Sequence, residues 1–165
     1  MIDLNRNVPI KLLYNDAIIK GIFPDPMKLA DITPSHKKND KCKKENYRPI
    51  SILSSLSKIF EKQIHDDIYK FMMDKLSPYL CGFRRGYSTQ YCLAVMLERF
   101  RKALDNKNKF GALLTDLSKA FDCLNHELLI AKMHAYGIDH TALKLIFSYL
   151  SNRKHRTKVN NHFSE

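Results

Sequence analysis

Asp116 is the residue from which a chemistry can be built in this chain. The run before it, Gly111-Ala112-Leu113-Leu114-Thr115, is apolar and unbroken, the pattern of a largely buried strand. A carboxylate where burial ends is costly unless it is paired, hydrogen-bonded or bound to a cation. Beyond it, Leu117-Ser118-Lys119-Ala120 leads to an aromatic, Phe121, and a second acid, Asp122. An acid at a strand end, a tight turn and a ring just beyond have the makings of a metal and nucleotide site. The same pattern also describes a structural cap or a surface carboxylate, and the segment alone leaves both readings open.

The second group of reactive residues is cationic. Lys37, Lys38, Lys41, Lys43 and Lys44 crowd one segment, and Arg153, Lys154, Arg156 and Lys158 another. They belong to a chain with 28 Lys and Arg against 17 Asp and Glu, a formal charge of +11. Such a field attracts polyanions, of which nucleic acid is the usual intracellular one. A basic but unspecialised surface is the plain alternative.

Composition bounds the rest. At 165 residues, 44% apolar and 27% charged, the chain has room for one globular domain with a core and is not broadly disordered. No apolar run approaches the roughly 18–20 residues of a membrane span. The start, Met1-Ile2-Asp3-Leu4-Asn5-Arg6, lacks the order of a signal peptide, so an intracellular protein is expected. Cys42, Cys81, Cys92 and Cys123 are scattered without a C-x-x-C pair, which signals neither a zinc site nor a disulfide framework. The seven histidines show no metal-ligand spacing.

The elements that must position these groups follow from periodicity and punctuation. Residues 9–20 read as a helix ending at Gly21, and Phe23-Pro24-Asp25-Pro26 as a turn. Leu29–Pro34 reads as a strand stopped by its proline, the basic run 36–44 as a loop, and Tyr47–Leu53 as a second, antiparallel strand. The lysines of that loop are either simply solvated or a mobile flap over phosphates. Leu53, Leu56, Phe60, Ile64, Ile68 and Phe71 step by three or four, a helix whose stripe should be core. Residues 77–89 form a loop with two glycines and two arginines, and Ser88 or Thr89 caps a helix expected to bury Leu93, Met96, Leu97, Phe100 and Leu104. A turn at 105–109 leads into the strand at 110–117. Asn125 caps a helix to about Ala135, Tyr136-Gly137 ends it, and another helix from about Asp139 to Leu150 should bury Leu143, Ile146, Phe147 and Leu150. A basic turn at 151–155 precedes the start of a strand at Thr157-Lys158-Val159. The class is α+β, with helices outnumbering strands.

These blocks occur in one order: Tyr47-Arg48-Pro49-Ile50-Ser51, Gly82-Phe83-Arg84-Arg85-Gly86-Tyr87-Ser88-Thr89, Asp116-Leu117-Ser118-Lys119-Ala120-Phe121-Asp122, Asn125-His126 and Ser148-Tyr149-Leu150-Ser151-Asn152-Arg153. Together they resemble the amino-terminal half of the reverse transcriptase domain of non-LTR (LINE-type, jockey-like) retrotransposons, over nearly the whole chain and least over its first twenty residues. The resemblance implies a partial right-hand polymerase in a single incomplete domain, with 1–105 fingers-like and 106–165 the beginning of the palm. It implies RNA-templated addition of deoxynucleotide triphosphates to a DNA primer, with two Mg²⁺ ions in the complete enzyme. Asp116 matches the first metal-binding aspartate and the catalytic carboxylate, joined by the backbone carbonyl of Leu117. Phe121 matches the ring beneath the incoming sugar. Lys37 and Arg48 fall where fingers residues hold the triphosphate, and the Arg48 fork suits phosphate oxygens. Arg84 and Arg85 either contact template or nucleotide or brace their loop, and Asp122 organises its turn. Traffic between cytoplasm and nucleus, and no membrane partner, are implied as well.

Departures from the family pattern qualify these implications. Leu80-Cys81 stands where relatives often carry Gln and an aromatic, and Asn39 replaces a common glycine of the basic loop. The Pro-Gln-Gly block and the aromatic-x-Asp-Asp turn of the palm do not occur in these residues. One aspartate and one carbonyl hold at most one ion weakly, so a polypeptide of this sequence is expected to be inactive as a polymerase. It should also be poorly soluble, with an apolar face left open. The competing reading is a non-catalytic remnant that grips RNA or DNA through counterion release. A phosphotransferase using Asp116 as nucleophile gains nothing from the other blocks.

Overall fold

A computed structural model describes residues 8–117, 120–159 and 162–164. Among these are five α-helices and one four-stranded sheet, the mixed α+β class expected. The chain forms two compact units: residues up to Lys70 together with Asn125 onward, and Phe71–Leu124.

The first unit begins with α1 (Val8–Lys20). Gly21 ends that helix with φ +64°, where only glycine avoids a Cβ penalty, and an added Cβ would lie 3.1 Å from the Lys144 side chain. Pro24 and Pro26 shape a short 3-10 turn at Asp25–Lys28 that feeds β1 (Leu29–His36). The basic loop then returns the chain as β2 (Tyr47–Leu53), antiparallel to β1 with Ala30 opposite Leu53 and His36 opposite Tyr47.

Pro34 does not stop β1, contrary to expectation. It faces Pro49 across the ladder. Two prolines cannot exchange an N–H···O bond, so the pair takes a position between ladder bonds, where neither missing donor is needed. β3 (Lys154–Val159) pairs in parallel with β1, Leu29 beside Lys154, and begins three residues before the expected strand. The two-residue β4 (His162–Phe163) completes the order β2-β1-β3-β4.

The core of this unit lies where α2 (Ser55–Met72), α1 and α5 (His140–Leu150) meet. Phe60 and Phe23 are fully buried and stacked at 5.3 Å, and Tyr14 stacks on Phe60 at 4.4 Å. Ala17, Met27 and Leu145 close around them. Burying each large side chain stabilises by roughly 1.5–3 kcal/mol. Polar groups at the core are satisfied: Ser57 Oγ donates to the Met27 carbonyl at 3.1 Å, and the Phe23 N–H donates to Ser148 Oγ at 3.0 Å. The α2 stripe is core only in part, because Phe60 and Ile64 pack inward while Leu56, Ile59 and Phe71 are exposed. In α5, Leu143 and Ile146 are buried as expected, whereas Phe147 is exposed and Leu145 takes a place in the core. α4 (His126–Ala135) is capped by Asn125, whose side chain accepts from the Leu128 N–H, and α5 by Asp139, which accepts from Thr141.

The second unit holds the end of α2, a loop, α3 (Thr89–Asp105) and the segment 106–124. Ser88 caps α3 as expected, accepting from the Tyr91 N–H. Two expectations fail here. α3 buries none of its apolar stripe, and Leu93, Leu97 and Leu104 are all exposed. The run 110–117 is not a strand: it has no regular structure and pairs with no described strand, and Leu113 and Leu114 are about nine-tenths exposed. A strand exists by virtue of a ladder partner and a covered face; among the described residues this run has no ladder partner, and its cover is limited to Phe110 against Phe100 at 4.2 Å.

Candidate nucleotide and nucleic-acid site

Lys37 and Arg48 belong to the first unit. The β1–β2 register sets Arg48 opposite Ser35, and the Lys37 N–H donates to the Asn46 carbonyl at 2.8 Å, closing the loop at its base. The two cations therefore come together at one end of the sheet, both exposed.

The loop between them is built. Asp40 Oδ1 accepts from the Cys42 N–H at 2.9 Å, Asn46 Nδ2 donates to the Asp40 carbonyl at 2.7 Å, and the Tyr47 hydroxyl donates to the Lys41 carbonyl at 2.9 Å. The His36 and Tyr47 rings meet edge to face at 5.4 Å beneath it. Asn39 takes φ +65°, a conformation that asparagine tolerates better than most side chains, so the turn holds a left-handed residue there without a glycine. Lys37, Lys38, Lys41, Lys43 and Lys44 are left exposed on this frame. The sequence singled out the lysines; the polar and aromatic residues that hold the loop carried no comparable signal.

The second basic cluster is partly used up internally. Arg156 Nε donates to Asp31 Oδ1 at 2.6 Å and its guanidinium lies 4.1 Å over the Phe163 ring. The hydrogen bond from Arg156 holds the Asp31 carboxyl below the usual range, and the nearby charges of Arg156 and Lys158 add to this against partial desolvation. Arg153 stacks on Tyr149 at 4.6 Å and reaches Glu61 at 3.7 Å.

The remaining candidates belong to the second unit. Asp116 and Leu117 lie exposed in the irregular run, not at the end of a strand. Ser118 and Lys119 of the motif lie outside the described residues. Phe121 follows in a turn, 81% exposed, edge-on to Phe83 at 6.4 Å. Arg84 is turned into its own loop: Nη1 donates to the carbonyls of Ser77 at 3.2 Å and Leu80 at 3.4 Å, and the guanidinium stacks on Tyr87 at 4.6 Å. Its Nε is buried without a hydrogen-bond partner. Of the two roles open to Arg84, bracing the loop is the one its contacts serve. Arg85 is exposed.

Magnesium takes about six oxygens in octahedral array. Asp116 and the Leu117 carbonyl supply two, and the described residues contain no group of three or more His, Cys, Asp or Glu side chains able to hold a metal. These residues by themselves do not fit a magnesium centre. Among the described residues no helix is long and apolar enough to cross a membrane.

Comparison with known proteins supplies what this geometry alone does not. Residues 36–164 match the family described as reverse transcriptase (RNA-dependent DNA polymerase). The chain is 32% identical over 164 residues to the probable RNA-directed DNA polymerase from transposon BS of Drosophila melanogaster, covering 94% of this chain and 17% of that protein. It is 34% identical over 149 residues to the corresponding protein of transposon X-element from the same organism, covering 88% of this chain and 16% of that protein. To the RNA-directed DNA polymerase from mobile element jockey it is 29% identical over 126 residues, 74% of this chain and 14% of that protein. The chain thus spans only about a sixth of the length of the relatives it resembles. With the family match extending over most of its length and relatives among the non-LTR transposons, the chain belongs to the reverse transcriptase family.

Proposed function

We propose that these residues form the fingers and the start of the palm of an RNA-directed DNA polymerase, with 1–105 fingers-like and 106–165 the first part of the palm. Lys37 and Arg48 hold the triphosphate of an incoming deoxynucleotide, Phe121 lies beneath its sugar, and Arg85 contacts the nucleic acid. Arg84 shapes the loop that presents Arg85. Asp116 is the catalytic carboxylate, and with the Leu117 carbonyl it would supply two oxygens to a Mg²⁺ ion. RNA template and DNA primer are the partners, and the work is divided between cytoplasm and nucleus.

The observation that carries this reading is the hairpin that brings Lys37 and Arg48 to one end of the sheet on an ordered basic loop, in a chain of this family. A guanidinium fork beside an ammonium is suited to adjacent phosphates, one bidentate and one as a point charge.

Equilibrium dialysis of a deoxynucleotide triphosphate against the 165-residue chain tests it. The K37A/R48A double variant should bind the nucleotide at least about tenfold more weakly, as expected for two charge-assisted contacts. Its affinity for a non-specific RNA should fall by the modest factor that two lost cations produce, with a shallower salt dependence. Equal losses for both ligands would favour the non-catalytic binding remnant, which the net charge of +11 and the incomplete ligand set at Asp116 also accommodate. Under either reading the 165-residue chain alone extends no primer above an Asp116→Ala control.

A further inference from the structure

The parallel strands β1 and β3 start side by side, and between the segments leading into them lies a cleft of about 460 Å³. Asp25, Lys28, Leu29, Asn152, Arg153 and Lys154 line it. It lies at the end of the sheet remote from the basic loop, because Leu29 and Ser35, the partner of Arg48, are separated by six residues of strand. That is about 20 Å at 3.3 Å per residue.

Lys28 is the unusual member. Its side chain is only 7% exposed, whereas lysines are almost never buried without a specific partner. The partner present is Asp25, 2.8 Å away and 85% exposed, carried on the turn between two prolines. An exposed carboxylate is a weak holder of a buried ammonium, because it is solvated and screened. The cleft contains three cations, Lys28, Arg153 and Lys154, against that one acid. Glu61 offsets part of the Arg153 charge at 3.7 Å. Lys28, and more weakly Lys154, hold the Asp25 carboxyl below its ordinary range, so both bear on one point. Asn152, at φ +56°, adds an amide to the same wall.

We propose that this cleft is a second anion site, which accepts a phosphate group in place of the Asp25 carboxylate on Lys28, with Lys154 and Asn152 as further donors. The shared chemistry is a tetrahedral phosphate, whether a diester of a nucleic-acid backbone or a free polyphosphate. The site is independent of the roles assigned to Lys37, Arg48 and Asp116.

The test follows backbone amide shifts of the isotope-labelled 165-residue chain during titration with inorganic pyrophosphate at constant ionic strength. In K37A/R48A, which removes the two cations assigned to the triphosphate, saturable shifts should persist at residues 25–29 and 152–154 with the affinity of the unaltered chain. Lys154→Gln, an exposed substitution, should weaken binding several-fold, and Lys28→Met at least tenfold. Asp25→Asn should tighten it, since it removes the competing carboxylate; a purely structural ion pair would give no gain. Should Lys28→Met fail to fold, Lys154→Gln and Asp25→Asn still decide the matter through their opposite signs. A short oligoribonucleotide that displaces pyrophosphate from these amides identifies the backbone as the source of phosphate, and failure to displace identifies the free anion; both outcomes support the site. Shifts spread over all the lysine-rich segments, with no response to Asp25→Asn and Lys154→Gln, would overturn it.

Discussion

The two units carry similar apolar periodicity and use it differently. In the first, Phe60 of α2 is fully buried against Phe23 and Tyr14. In the second, α3 has leucines at the same helical spacing, and Leu93, Leu97 and Leu104 are half to three-quarters exposed. An amphipathic stripe states that a helix can be covered on one face; whether it is covered depends on a second surface of matching shape. α1 and α5 provide that surface for α2, whereas in the second unit α3 and the run 110–117 meet through the Phe100–Phe110 ring contact at 4.2 Å and leave their leucines exposed.

The largest expected effect tests this contrast directly. Phe60→Ala should destabilise the chain by about 3–5 kcal/mol in urea unfolding followed by circular dichroism, the usual result of emptying a large aromatic from a packed core. Leu97→Ala should shift the same transition by no more than about 0.5 kcal/mol, as for a surface position. A comparable loss at both sites would mean that α3 is buried in solution.

Helix caps come next. Asn125→Ala and Ser88→Ala each remove a side-chain acceptor from a helix N-terminus, at a cost of about 1 kcal/mol. The Asn125 loss should register in the global transition of the first unit. The Ser88 loss should appear chiefly as faster amide hydrogen exchange across the first turn of α3, because a unit without a packed core opens locally.

Acid bears on both units, since the Arg101 hydrogen bond holds the Glu98 carboxyl of α3 low as well. The carboxyls of Asp31 and Asp139 are held below their ordinary range, Asp31 by the Arg156 hydrogen bond and Asp139 by backbone N–H groups at the start of α5. Groups lowered in this way contribute stability that is present above their unfolded pKa, about 3.9, and lost as pH falls through the lower folded value. An acid titration should therefore weaken the first unit below about pH 4, and Asp31→Asn should flatten that dependence. An unchanged acid limb in the variant would rule the Arg156 pair out as a contributor.

The smallest effect on stability, and the most useful for handling the protein, is expected at Leu113, Leu114 and Leu117. Replacing all three with Ser should leave the unfolding midpoint unchanged and raise the concentration at which the chain remains monomeric in sedimentation, because the exposed apolar run is reduced.

Much of the first unit was legible beforehand because its signals are local. Gly21, Asn125 and Asp139 mark helix ends through interactions within three or four residues, and the β1–β2 hairpin follows from two apolar runs around a polar loop. The five ordered blocks sufficed to identify the family for the same reason: each is a short string, read without knowing what it touches. The site was less legible. Lys37 and Arg48 are joined by a hairpin register, which adjacent segments can announce, but the inward turn of Arg84 depends on carbonyls at Ser77 and Leu80 that no motif advertises. The cleft at Lys28 joins residues more than a hundred positions apart and gave no signal at all.

By itself, the sequence determined the class, the family, the helix ends, the caps and the cationic character of the surface, because propensity, capping and net charge are properties of neighbours or of sums. Tertiary structure alone decided that Pro34 sits within a strand, that β3 joins β1 in parallel, that Phe60 is core while Leu97 is surface, and that Asp116 emerges from an irregular run. Those outcomes turn on whether a distant segment supplies a ladder partner or an apolar cover, and the burial free energy that selects between them exists only once both surfaces have met.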